Sequence, residues 1–99
     1  MRLISRRNAL KAAERHTRGR AAVERWCELI AGTDARSLVE LRRVFPSADQ
    51  VGGALVFNVG GNNFRIVCCV DWAAQRLFFR TLLTHAEYDD VNVEELCPR

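Results

Sequence analysis

The stretch "LVFNVGGNNFRIVCCV", residues 55–70, decides the fold because it holds two extended segments on either side of a turn. Residues 55–59 and 64–70 are rich in Val, Ile and Phe, which favour strands. Gly60, Gly61 and Asn62 between them tolerate the positive φ angles of a tight hairpin turn. We therefore predict a β-hairpin. Residues 77–84 follow after a short connection and predict a third antiparallel strand, which completes a meander.

Three helices are predicted before the hairpin. Residues 22–30 place apolar side chains at three- and four-residue intervals up to Gly32, so this helix packs on the sheet and buries Trp26. "SLVE" has capping-box spacing and opens a short helix that ends before Pro46. Ser5 is expected to cap a first helix over residues 6–16. The pattern predicts an α+β fold with helices on one face of a small sheet.

The first helix presents a basic stripe, Arg7, Lys11 and Arg15, at spacings of four residues. Such a stripe is either a solvated outer face or a contact surface for a polyanion. Fourteen of the fifteen basic residues are arginine, and the first fifty residues have a formal charge of +5 against −2 for the rest. Arginine binds phosphate bidentately, although a GC-rich genome gives the same composition, so both explanations stand.

The length and the composition of the chain predict one domain, residues 1–99, of an ordinary globular class. No apolar run approaches the roughly 18 uncharged residues of a membrane span, and the N-terminus lacks the apolar core of a secretion signal. We expect a cytoplasmic protein that makes no membrane contact. The cysteines show no CxxC spacing, and we interpret all four as reduced packing residues that bind no metal: Cys27, Cys68, Cys69 and Cys97.

"THAEYD", residues 84–89, places proton chemistry at the end of the third strand. His85 can exchange a proton near neutral pH. A helical turn capped by Thr84 and Glu87 would bring His85 and Tyr88 to one side. The alternative is a strand-to-helix corner with an incidental histidine. Arg65 and Arg80 on the strands either solvate an open sheet face, pair with Asp71, or bind a ligand.

Three blocks together resemble the HigB family of toxin–antitoxin toxins: "FPSADQVG", "VFNVGGNNFRIV" and "THAEYD". The resemblance covers nearly the whole chain. It implies a RelE-like microdomain whose N-terminal helices pack on one face of a small twisted antiparallel sheet, with the other face left for RNA. It also implies a ribosome-dependent mRNA endoribonuclease, an mRNA interferase, which uses no metal and no cofactor.

The reaction that the resemblance implies is attack of a ribose 2′-hydroxyl on the adjacent phosphorus. It requires a base, an acid and positive charge near the phosphorane. His85 would be the acid or base, Arg65 would stabilise phosphate charge, and Tyr88 would orient the nucleotide or assist proton transfer. Arg80 would be a second phosphate contact, and Arg7 and Lys11, with Arg15 on the same stripe, would hold ribosomal RNA.

Many members of the family carry lysine in or just after the hairpin turn, where this chain has "GGNN". The charge requirement therefore shifts to Arg65, Arg80 and the first helix. The resemblance further implies a HigA-like helix-turn-helix antitoxin as partner, with promoter DNA bound only through the antitoxin complex. The alternative function is a noncatalytic RNA- or ribosome-binding module that blocks translation by occupancy.

Overall fold

A five-stranded sheet with the order β1-β5-β4-β3-β2 forms the centre of the molecule. The structure is a computed structural model and describes residues 1–16, 18–61 and 63–97. Its strands are β1 (Arg2–Ile4), β2 (Asp49–Val51), β3 (Ala54–Val59), β4 (Phe64–Asp71) and β5 (Arg76–Thr84). Its helices are α1 (Arg6–Ala13), α2 (Gly19–Ala31), α3 (Leu38–Leu41), α4 (His85–Asp89) and a 3₁₀ helix (Val93–Leu96).

The predicted α+β class and the β3–β4–β5 meander are confirmed. The sheet is mixed rather than purely antiparallel, because β1 runs parallel to β5. Leu3 of β1 lies opposite Leu77 of β5. Neither β1 nor β2 was predicted. Each has only three residues, which is too short for an alternating pattern, and each is stabilised by pairing with a strand distant in the chain.

One face of the sheet packs against the helices and forms the main core. Val23, Trp26 and Ile30 of α2 are buried there, as the apolar spacing predicts. The Trp26 ring meets Phe57 of β3 edge-on, with 5.4 Å between the ring centroids. Burial of each such side chain contributes about 1.5–3 kcal/mol, so this contact of α2 with the strands is the principal stabilising layer.

Two helix predictions need correction. The first helix ends at Ala13 rather than at residue 16, and Ser5 makes no side-chain cap because its backbone is in the left-handed conformation. Residues 14–16 form a turn instead, and Thr17 lies outside the described residues. The third helix is a single turn that ends at Leu41, although Ser37 caps it through the Glu40 N–H as predicted.

The C-terminal segment covers part of the second sheet face, which the resemblance implied would be open. Val93 of the 3₁₀ helix packs with Val56, Val67 and Leu83 in a smaller core. A disulfide joins Cys69 of β4 to Cys97, so the interpretation of all four cysteines as reduced is wrong. Cys68 and Cys69 lie on opposite faces of the sheet, as neighbouring strand residues do. The return of residues 93–97 to the sheet is a tertiary event without a local pattern.

Cys27 and Cys68 are buried free thiols. Burial raises the pKa of the Cys27 thiol and raises that of the Cys68 thiol well above its ordinary value. Because the thiolate is the reactive form, both side chains act as packing residues, as predicted.

A β-bulge lies opposite Val67 and Cys68 in β5. Val67 pairs with Thr81 and Cys68 pairs with Phe79, so Arg80 is the extra residue. The bulge reverses the alternation, so Phe78 and Leu82 do not share a face although they are four residues apart in the strand. Leu82 packs in the helix-side core, whereas Phe78 pairs with Cys69 of the opposite face. No helix among the described residues has the length and apolar character that crossing a bilayer requires.

Candidate active site

The corner between β5 and α4 is fixed by a complete capping box. The Thr84 hydroxyl accepts from the Glu87 N–H at 3.2 Å, and the Glu87 carboxylate accepts from the Thr84 N–H at 2.9 Å. Both contacts satisfy amides that a helix N-terminus otherwise leaves unpaired. The predicted turn is therefore present, and it fixes the direction in which His85 and Tyr88 leave the backbone.

Glu87 takes part in the capping box with Thr84. The Thr84 N–H lowers the pKa of the Glu87 carboxyl most, the Thr84 hydroxyl lowers it further, and the charges of His16 and Arg15 add smaller effects. The carboxylate therefore stays ionised and hydrogen-bonded to the cap. The side chain of Asp89, the last residue of α4, makes no hydrogen bond or ion pair with any described residue.

Arg65 connects the two α4 side chains. Its Nη2 lies 2.9 Å from Nδ1 of His85, and its Cζ lies 5.9 Å from the centroid of the Tyr88 ring. Its Nη1 also donates to the Phe64 carbonyl at 3.3 Å. The second distance is within the range of a cation–π contact. The structure thus brings together the three residues to which the sequence assigned chemistry.

The contact between Arg65 and His85 defines the hydrogen positions on the imidazole. A guanidinium only donates hydrogen bonds, so Nδ1 must accept with its lone pair, and the proton of the neutral ring is on Nε2. In this arrangement Nδ1 is not available to a substrate. His85 itself is exposed, so its ring is accessible from solvent.

A shallow, open depression of about 550 Å³ lies beside the pair. Asn58, Gly61, Asn63, Arg65 and His85 line it. Asn58 stands directly opposite Arg65 in the β3–β4 pair, so both side chains lie on the same sheet face. Asn58 was not among the site residues predicted from the sequence. The hairpin register would have identified it, because a four-residue turn between residues 59 and 64 places residue 58 opposite residue 65.

The remaining predicted RNA contacts are not among the described residues that line this depression. Arg80 donates a hydrogen bond from Nε to Cys69 Sγ at 3.2 Å. On β5 it lies three residues, or roughly 10 Å, from Leu83, the register partner of Arg65. Arg7 and Lys11 are exposed on α1. Arg15 follows α1 next to His16, whose ring centroid lies 4.8 Å from that of Phe64 with the two rings tilted by 50°. The charges of Arg15 and His16 both act on Glu87 of α4. The basic stripe therefore runs towards the α4 corner.

No cluster of three or more His, Cys, Asp or Glu side chains able to hold a metal ion occurs in residues 1–16, 18–61 and 63–97. The groups present are an imidazole, a guanidinium, a phenol and carboxamides. Together they can hold an anion and exchange a proton beside it, which suits a phosphodiester.

Comparison with known proteins decides the family. Residues 19–91 match the family model HigB_toxin, described as the RelE-like toxic component of a toxin–antitoxin system. The chain belongs to the HigB toxin family. The matched part of this HigB-family chain includes Arg65, Arg80, His85 and Tyr88, whereas Arg7, Lys11 and Arg15 precede it.

Curated HigB relatives extend the similarity over most of the chain. The "mRNA interferase toxin HigB" of Escherichia coli strain K12 is 34% identical over 92 residues, which cover 90% of this chain and 88% of that protein. The "mRNA interferase HigB" of Shigella flexneri gives the same values. The "mRNA interferase HigB" of Escherichia coli O6:H1 is 29% identical over 92 residues, which cover 90% of this chain and 89% of that protein.

Proposed function

We propose that this HigB-family toxin is an mRNA endoribonuclease that cuts messenger RNA on the ribosome and so inhibits translation. The observation that supports this proposal is the 2.9 Å contact between Arg65 and the exposed His85 beside an open, polar depression. The curated relatives are named mRNA interferases, which supports the same reaction class.

In the proposed reaction, the 2′-hydroxyl attacks the adjacent phosphorus, its proton leaves, and the bond to the 5′-oxygen breaks after that oxygen gains a proton. The products are a 2′,3′-cyclic phosphate and a 5′-hydroxyl end. His85 carries one of these protons, and Arg65 stabilises the charge that builds on the phosphorane. Tyr88, three residues along the same turn, orients the nucleotide or assists the second proton transfer. No residue in this scheme requires a metal.

The resting contact gives Arg65 a second role. While Arg65 donates to Nδ1, that nitrogen cannot take a proton from substrate. A phosphate that arrives in the depression competes for the guanidinium, because a charge-assisted bond to phosphate is stronger than a bond to a neutral imidazole. We infer that substrate binding draws Arg65 onto the phosphate and frees the Nδ1 lone pair for base catalysis.

The partners that we propose are those expected of a toxin of this family. The toxin acts in the cytoplasm, where ribosomes are, and a cognate HigA-like helix-turn-helix antitoxin neutralises it. Promoter DNA is bound through the antitoxin complex. Arg7 and Lys11 lie roughly 6 Å apart along α1, at about 1.5 Å per residue, and Arg15 follows in the turn after the helix. With Arg80, they supply charge for ribosomal and messenger RNA around the site.

His85→Ala tests the proposal. The variant should lose growth arrest and transcript cleavage by at least about 100-fold, the lower range for loss of general acid–base catalysis, while its affinity for ribosomes stays within about twofold. His16→Gln, which changes the other histidine, should retain cleavage. If His85→Ala still arrests growth and wild-type protein leaves transcripts intact, the chain blocks translation by occupancy instead.

A further inference from the structure

Asn58 is a residue of the depression to which neither the sequence motifs nor the family description assigns a role. Its register partner is Arg65, and directly opposed strand residues have Cβ atoms about 4.5–5.5 Å apart. The side chain is half-buried and lines the depression together with Arg65 and His85. A group bound between Arg65 and His85 is therefore within reach of the Asn58 carboxamide.

The carboxamide is uncommitted in the described part of the chain, where it makes no side-chain hydrogen bond. A primary amide has two N–H donors. The hairpin turn contributes no lysine here, and of the five described residues that line the depression only Arg65 carries a permanent positive charge. A phosphorane gains negative charge on its non-bridging oxygens, so a neutral donor beside Arg65 adds stabilisation without repelling the guanidinium.

We propose that Asn58 is a catalytic residue that donates a hydrogen bond to a non-bridging oxygen of the scissile phosphate, next to the oxygen held by Arg65. The proposal rests on the function proposed above, because it requires a phosphodiester in the depression. It gives the β3 side of the hairpin the phosphate contact that the turn itself lacks.

Single-turnover cleavage of ribosome-bound mRNA with a phosphorothioate at the scissile position tests this directly. Sulfur in place of one non-bridging oxygen weakens a hydrogen bond to that oxygen. Wild-type toxin should be slowed by sulfur at the position that Asn58 contacts. Asn58→Ala should cut the oxygen substrate about 100-fold more slowly, as for other oxyanion donors, and should no longer respond to sulfur at that position.

The sulfur effect is a ratio within one variant, so it does not depend on the fraction of protein that is folded. Asn58→Asp, which is similar in size but has no donor and adds a negative charge, should be slower than Asn58→Ala. A purely structural role predicts the reverse order. Asn92→Ala, an exposed asparagine without a side-chain cap, is the matched control and should cut at the wild-type rate.

Unchanged cleavage by Asn58→Ala overturns the proposal. So does slower cleavage in which both phosphorothioate isomers keep their wild-type effects, because Asn58 then acts only through the fold. If wild-type toxin does not cut the oxygen substrate at all, the proposed function itself fails, and this failure is distinguishable from the other two.

Discussion

Arg65 connects the candidate site because its planar guanidinium contacts both the edge of the His85 imidazole and the face of the Tyr88 ring. A lysine at this position keeps the charge but has neither the planar fork nor the stacking surface. We therefore expect Arg65→Lys to slow transcript cleavage at least about 100-fold with a small change in ribosome affinity. Arg36→Lys, at an exposed loop position, is the control in the same cleavage assay. Equal activity of the two variants would contradict the assigned role of Arg65.

Two neighbouring glycines allow the effect of backbone strain on stability to be distinguished from the effect of side-chain crowding. Gly60 and Gly61 both have φ near +60°, but a Cβ at Gly60 would lie 3.0 Å from the Phe64 ring, whereas one at Gly61 meets nothing within 4 Å. Gly61→Ala should lower the free energy of unfolding by about 1–2 kcal/mol, the cost of a left-handed residue with a Cβ. Gly60→Ala should lower the free energy of unfolding by more than Gly61→Ala does. Urea unfolding measures both values, and a larger loss for Gly61→Ala would contradict this prediction.

At the scale of elements, two capped turns allow a stability effect to be separated from an activity effect. Thr84 caps α4 beside the candidate site, and Ser37 caps α3 away from it. Thr84→Val and Ser37→Ala should each cost about 0.5–2 kcal/mol of stability. Only Thr84→Val should also reduce cleavage, because α4 orients His85. Loss of cleavage in both variants would mean that activity follows stability alone.

The same capping box predicts that the stability of the protein falls at acid pH when Glu87 is protonated. Because the pKa of Glu87 is lowered in the folded protein, its contribution to stability is present above the ordinary value, near pH 4.5, and disappears as pH falls through the folded value. Glu87→Gln retains an acceptor but does not titrate. The wild-type midpoint temperature should therefore fall more steeply than that of Glu87→Gln below about pH 4. Parallel curves would show that the carboxylate adds nothing.

The sequence predicted the elements that have their own local signal. α2 has a full apolar stripe, the hairpin has paired extended runs around two glycines, and α4 has its capping residues at the required spacing. The prediction failed at three-residue strands and at the bulge of Arg80, because both depend on pairing between distant segments. The same limit applies to the site: the α4 side of it was predictable, but Asn58 required the strand register.

For the whole molecule, the Cys69–Cys97 disulfide is the largest departure from expectation. It links residues 28 positions apart and holds residues 93–97 over the second sheet face. In the chain-entropy account, a loop of this length stabilises the folded state by about 3–4 kcal/mol. Dithiothreitol should therefore lower the thermal midpoint of the wild-type protein and leave that of Cys97→Ser unchanged. A wild-type midpoint that does not respond to reductant would contradict this stabilising role.

The self-contained corner of residues 84–89 has a consequence for how such proteins diversify. Its cap, imidazole and phenol all come from six consecutive residues, so the geometry needs only a strand that ends at the right place. A short segment of this kind can be exchanged between related toxins by recombination or by design without rebuilding the sheet. The demanding requirement is instead the arginine on the neighbouring strand, which must arrive in register from twenty residues earlier.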